Sequence, residues 1–391
     1  MSATALRLDP AVVPPAAQRM RERVRRFLDE AARDGVFQPH APTAGGGHNP
    51  QFSRRCGAAG FIGMTWPQAL GGHGLSHLER YVVTEEMLAV SAPVRAHWVA
   101  DRQSGPLLIR YGQAPVQQQL LPRIVRGECY FCIGMSEPDS GSDLFSVRST
   151  ATPADGGWRV NGRKLWTSNA HCSHYMIALL RTSPPTADNR RHGLTQFLVD
   201  MSSPGITVRP VADLTGAADF NEVTFDDVQV PAAHLLGEVD QAWRQATSEL
   251  AYERSGPERF LETIYLLHAL VRTAGQDPDP RVAEGVGRLV AELATLREMS
   301  LSVAGMLEGG AVPDVQAALI KDLGTNWEQA LPARVRDMLP PIEAGIETSA
   351  DNALDLHSLL GYATLIAPKL TIQGGTREIL RGIIARALGL R

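Results

Sequence analysis

Lysine is almost missing from this chain. Of 38 basic residues in 391, only Lys164, Lys321 and Lys369 are lysines and the rest are arginines, a bias that codon usage alone can produce. Cysteine is also scarce. The four thiols, Cys56, Cys129, Cys132 and Cys172, are too few to staple a chain of this length, which points to a reducing compartment and a cytoplasmic location. There is no excess of one charge: the formal net charge is −4, whereas a dedicated nucleic-acid binder would carry a marked basic surplus. No apolar run reaches the roughly 18 residues of a spanning helix. The opening MSATALRLDP lacks the apolar core and cleavage site of a secretory signal. Common catalytic signatures are missing too: no G-x-G-x-x-G after a strand, no Walker A loop, no H-E-x-x-H, no G-x-S-x-G.

What is present is an ordinary globular composition, 44% hydrophobic, long enough for two or three domains at about 150 residues each. Its pattern changes twice. Residues 1–120 read as helices: in RMRERVRRFLDEAARDG, Val24, Phe27, Leu28 and Ala31 recur at helical spacing, and Gly35 is a stop. Helical pattern resumes in LERYVVTEEMLAV, GPLLIRYG and VQQQLLPRIVRG. Residues 121–235 break into short runs, among them YMIALLRT, LTQFLVDM, ITVRPV and NEVTFDDVQVP, separated by turn formers. Such spacing predicts a compact β-barrel or sandwich rather than βαβ units, with Asn161-Gly162 as the expected hairpin turn. Residues 236–391 return to long helices. In the last, Ile379, Leu380, Ile383, Ile384, Ala387 and Leu388 share one side, with Thr376 as N-cap. The class is α+β and multidomain.

Four local segments hold chemistry-bearing residues, each with a plain structural alternative. Cys129-Tyr-Phe-Cys132 has C-x-x-C spacing but no second pair, and reads as two buried thiols rather than a redox or metal site. His171-Cys172-Ser173-His174 offers metal ligands without a partner cluster in sequence, so no metal is expected. MSEPDSGSD gathers Ser136, Ser140 and Ser142 around Glu137 and Asp143; it is either a capped turn or a loop presenting hydroxyls and N–H groups to a phosphate or polar ring edge. Lys164-Leu-Trp166-Thr167-Ser168-Asn169 puts an indole beside small polar side chains, which suits a planar cofactor but equally a core Trp with a polar turn.

Taken in order, GFIGMTWPQALGGHGLS, LLPRIVRGECYFCIGMSEPDSGSDL, VNGRKLWTSNA, HGLTQFLVDMSSPGITVRP, FNEVTFDDVQVP, LAYERSG and IQGGTREILRGIIARALGL make the chain resemble the acyl-CoA dehydrogenase family over nearly its whole length. Any one segment is weak; seven in the family's order are specific. The resemblance looks more like bacterial catabolic or biosynthetic members than mitochondrial enzymes. It implies an N-terminal helical domain, a central β-barrel domain and a C-terminal four-helix bundle. It also implies bound FAD and α,β-dehydrogenation of an acyl thioester of CoA or carrier protein. An electron-transfer flavoprotein or similar acceptor would follow, in a homodimer, homotetramer or heteromer.

On the family pattern, Met135 and Ser136 contact the flavin ring, and Ser142 lies near the cofactor pyrophosphate or the substrate's pantetheine. Trp166 and Ser168 line the N5 edge, while Gln373, Gly375 and Thr376 pass close to the adenine dinucleotide or the thioester. The α-proton needs a carboxylate base. In many members it is the Glu of an E-G-T motif, but here Gly374 occupies that position and offers only its backbone N–H, a donor for the thioester oxygen. LAYERSG matches a second base position used by isovaleryl- and long-chain-type members, which assigns Glu253 as base and Arg254 beside it at the substrate. The plain alternative is a solvated helical Glu-Arg pair. The family's R-x-x-F-G motif is absent, with Arg281 in DPDPR nearby, and His357–Gly361 replaces a glutamine-glycine-glycine segment. Two competing functions stand beside dehydrogenation: a flavin monooxygenase or oxidase on the same fold, and a non-catalytic subunit whose partner supplies base or flavin.

Overall fold

A computed structural model describes residues 6–42, 47–242, 245, 255–345 and 350–390. Glu253 and Arg254 lie outside the described residues. The chain forms two compact units, each discontinuous in sequence: one of residues 1–43, 76–92 and 253–391, the other of residues 44–75 and 93–252.

The first unit is helical. Helix α1 (Pro15–Arg33) buries Ala17, Met20, Val24, Leu28 and Ala31 along one stripe. It ends just before Gly35, whose φ of +71° suits a residue without Cβ. Helix α3 (His77–Ala89) starts with a capping box in which Ser76 Oγ accepts from Glu79 N–H and the Glu79 carboxylate accepts from Ser76 N–H. Glu85 and Glu86 of α3 meet Arg21 and Arg25 of α1, and Glu85 also meets Arg297. The C-terminal helices are α7 (Ile264–Ala274), α8 (Pro280–Glu308), α9 (Asp314–Gly345), α10 (Ala350–Leu370) and α11 (Arg377–Ala387). Thr376 stands at the N-cap of α11 as expected, but its side chain accepts no bond from the helix. Of the apolar side of α11 only Leu380 is fully buried.

The second unit joins helices α2 (Pro50–Ala58), α4 (Arg95–Val99), α5 (Gly105–Tyr111) and α6 (Ala114–Val125) to a sheet. Between α4 and α5, residues Ala100–Ser104 form a π-helical turn. The strands are β1 (Phe131–Gly134), β2 (Thr150–Ala154), β3 (Gly157–Ser168), β4 (Tyr175–Arg181), β5 (Leu194–Asp200), β6 (Ile206–Val211), β7 (Phe220–Pro231) and β8 (Leu235–Leu236). Their order is β6-β7-β3-β2-β4-β5-β8, with β1 joined in parallel to β4. This path has two ends: among the described residues the pairings form a central sheet and do not show it closed into the expected barrel. One face packs Val160, Met176, Ala178, Leu180, Phe197, Val223, Phe225 and Val228 into a core. β4 is buried on both faces, as its unbroken apolar run Tyr175-Met-Ile-Ala-Leu-Leu180 requires.

The hairpin expectation needs correction. Asn161 and Gly162 lie inside β3, and the β2–β3 turn is Asp155-Gly156, between paired Ala154 and Gly157. Asp-Gly serves a two-residue hairpin as well as Asn-Gly does, and Gly156 supplies φ +73°. Asn161-Gly162 instead marks a bulge against β7, where a Cβ on Gly162 would lie 2.4 Å from Ser149 Oγ. The Asn161 amide donates to Asp227 Oδ1 and accepts from Asp227 N–H, each at 2.9 Å.

Candidate functional site

In the sheet unit, the segment after β1 and the end of β3 come together. Leu165 N–H donates to Ser136 O at 3.0 Å, so Met135 and Ser136 lie beside Trp166 across one main-chain bond. Trp166 sits at a register break between β3 and β7, with φ of +63°. A bulky residue in the left-handed region is strained by about 1–3 kcal/mol and persists only where its surroundings impose it. The strain turns the indole out of the ladder: the side chain is 52% exposed and meets Phe220 edge-on, with ring centroids 5.9 Å apart. Ser168 follows, half-buried and paired with Phe220. Asn169, also left-handed, ties the strand end to Asp219 O at 2.8 Å.

Around this platform the polar groups divide into satisfied and unsatisfied. Asn221, fully buried, donates to Thr167 O at 3.0 Å, and its Oδ1 lies 3.1 Å from His171 Nδ1. Thr167 Oγ1 and Asn169 Oδ1 are buried and have no partner among the described residues. A buried polar atom left unpaired costs about 1–3 kcal/mol, so both atoms call for an enclosed water. A flat exposed indole flanked by Ser136 and Ser168 fits a planar heteroaromatic ring with polar atoms on its edge, as flavin has.

Beneath the platform lies a buried ion pair that residue patterns did not single out. Lys164 Nζ, fully out of water, is 2.8 Å from Glu137 Oε1. The Glu137 carboxylate also accepts from Arg148 N–H at 2.6 Å and Ser149 N–H at 3.0 Å. Burial pulls the Lys164 ammonium down to about 8 despite Glu137 beside it. Both residues stood within the motifs read above, and Lys164 is one of only three lysines in the chain.

The remaining expected site residues fall elsewhere. Ser142 is exposed on the loop following the Glu137–Ser140 turn, where Ser140 Oγ donates to Asp143 O at 2.7 Å. Gln373, Gly374, Gly375 and Thr376 belong to the helical unit, in the turn before α11, all half-buried. Gly374 and Gly375 have φ of +63° and +105°, values that exclude most other residues from this turn. Cys129 and Cys132 are buried free thiols, which burial raises to about 11 and about 12; both stay protonated near neutrality, as structural thiols do. Among the described residues no helix is long and apolar enough to cross a membrane.

Comparison with known proteins identifies the family. Residues 14–128 match the family model for the acyl-CoA dehydrogenase N-terminal domain, and residues 132–228 that for its middle domain. The acyl-CoA dehydrogenase IpdE1 of Mycobacterium tuberculosis is 35% identical over 347 residues, which cover 87% of each chain. Acyl-CoA dehydrogenase FadE29 of the same organism is 30% identical, over 88% of this chain and 89% of that one. The solved ChsE4-ChsE5 complex from Mycobacterium tuberculosis superposes with a TM-score of 0.81 at 25% identity, covering 98% of this chain and 100% of that one. The chain therefore belongs to the acyl-CoA dehydrogenase family of flavoprotein oxidoreductases.

Proposed function

We propose that this protein is an FAD-dependent dehydrogenase that introduces an α,β double bond into an acyl-CoA thioester. The observation that carries this reading is the strained, outward-turned Trp166 beside Ser136 and Ser168. Bound FAD supplies the acceptor for the substrate's β-hydride. Met135, Ser136, Trp166 and Ser168 hold and orient its ring, and Ser142 serves the pyrophosphate or the pantetheine. Gln373, Gly375 and Thr376 lie along the dinucleotide or the thioester. The Gly374 N–H donates to the thioester carbonyl oxygen, where negative charge develops as the α-proton leaves. Glu253 takes that proton, and the Arg254 guanidinium beside it orders the carboxylate as a flexible lysine would not. An electron-transfer flavoprotein or similar acceptor in the cytoplasm would take up the electrons.

The test is an absorption spectrum of the purified protein followed by anaerobic titration with a panel of acyl-CoAs. Bleaching of the flavin band by one of them is the expected result; rapid turnover with oxygen as sole acceptor would point to an oxidase or monooxygenase instead. Glu253→Gln should bind FAD normally but fail to bleach, and undiminished reduction in that variant removes Glu253 as the base.

A second reading makes the chain one subunit of a heteromeric dehydrogenase. Gly374 in place of the glutamate of many members favours it, as does the two-chain make-up of ChsE4-ChsE5. A chain that stays colourless with added FAD, yet co-purifies with a homologous active subunit, would support this reading over the first.

A further inference from the structure

The Lys164 ammonium has three protons and three acceptors: Glu137 Oε1 at 2.8 Å, Leu179 O at 2.6 Å and Met135 O at 3.3 Å. It thereby ties β3 to β4 and to the end of β1. Glu137, held at the same time by the N–H groups of Arg148 and Ser149, joins the loop leading into β2. Burying two charges is costly unless they are paired and hydrogen-bonded; here all three ammonium protons have acceptors and both carboxylate oxygens have donors. A pair of well-packed apolar residues could fill the same space, so stability alone does not require the charges.

Their effect on the neighbouring peptide is specific. In a planar trans peptide the C=O and the next N–H point in opposite directions. Drawing the Met135 carbonyl inward to Lys164 therefore turns the Ser136 N–H outward, away from the ammonium. The next carbonyl, Ser136 O, takes Leu165 N–H at 3.0 Å, which locks the segment to β3 one residue before the strained Trp166. The outward N–H of Ser136 and the indole of Trp166 are thus set by one buried pair.

We propose that Lys164 and Glu137 are positioning residues for the flavin: together they aim the Ser136 N–H and the Trp166 edge of β3 at the ring. This rests on the reading of the platform as the flavin site. The pair touches neither the reacting atoms nor the ring, and acts through the two segments it joins.

The test compares wild-type protein with Lys164→Met/Glu137→Gln, which removes the charges together and strands neither. Far-UV circular dichroism and thermal unfolding report the fold. FAD titration of the stripped protein and the visible absorption envelope report the site. We expect a folded double variant that binds FAD at least tenfold more weakly, with a shifted flavin band. Binding within twofold of wild type with an unshifted band, in a folded double variant, overturns the proposal while leaving the flavin site standing. Wild-type protein that takes up no FAD removes the flavin-site reading, and this proposal with it. Glu137→Gln alone keeps an acceptor for Lys164 and covers a double variant that does not fold. At least threefold weaker FAD binding is expected of it, and no change from wild type in affinity and band overturns the proposal.

Discussion

The backbone N–H of Thr263, at the N-cap of α7, donates to Glu328 Oε1 at 3.2 Å, and the Glu328 side chain comes from the middle of α9 with almost no access to water. A side chain of one helix thus takes the place of a cap on another, where unsatisfied N–H groups otherwise collect. Burial, helped by the nearby Glu262 carboxylate, pushes the Glu328 carboxyl up to about 8, against the partial relief given by Lys321 and the backbone N–H groups.

That shift has a definite sign in stability. Glu328 holds its proton in the fold but releases it in the unfolded chain near 4.5. The stabilisation is therefore full below that pH and is lost progressively as pH rises towards 8. Glu328→Gln keeps a carbonyl for Thr263 N–H and cannot ionise. Its melting temperature relative to wild type should rise steadily from pH 5 to pH 8, by roughly 2 °C or more. A difference that does not change with pH would show that Glu328 is ionised in the folded protein.

Trp166 gives a prediction that separates binding from folding. Half of its side chain faces water, so Trp166→Ala should change the stability of the cofactor-free protein by no more than about 1 kcal/mol. FAD affinity should fall about tenfold or more, since an aromatic face is lost from the platform. Apo-protein melting and a fluorescence titration with FAD measure the two effects separately.

Gly105 probes the packing under the same unit. A Cβ there would lie 2.1 Å from Trp66 Cζ2 and 2.2 Å from Cη2, and Trp66 is 3% exposed. Neither the ring nor the start of α5 can yield easily. Gly105→Ala should destabilise by about 1–3 kcal/mol, the usual cost of overfilling a packed site, as read by denaturant unfolding.

Much of this architecture was legible in local pattern. The stripe of α1 and the apolar run of β4 each follow from neighbours within a few residues, and the structure contains both. The Asn161-Gly162 reading failed for an equally physical reason. Two dipeptides, Asp155-Gly156 and Asn161-Gly162, can each make a tight turn, and the choice depends on which strands pair across them. Pairing β3 with β7 over residues 157–168 made the second a bulge. At the site, the family resemblance implied that Ser136, Trp166 and Ser168 face one ring, but no sequence rule announces that a tryptophan will adopt φ +63°.

The lysine scarcity shows the same division. By itself, the sequence determined the family, the helical segments, the strand-rich middle and the fact that three lysines stand among many arginines. Only the tertiary structure decided that two of those three, Lys164 and Lys321, are buried, with Lys164 reaching acceptors on β4 and on the loop after β1. A compact ammonium on a flexible stem can fill a small cage of converging carbonyls, where a broad planar guanidinium needs a wider, fork-shaped site. Such a cage is assembled by strands and loops distant in sequence, so its shape exists only once they have packed.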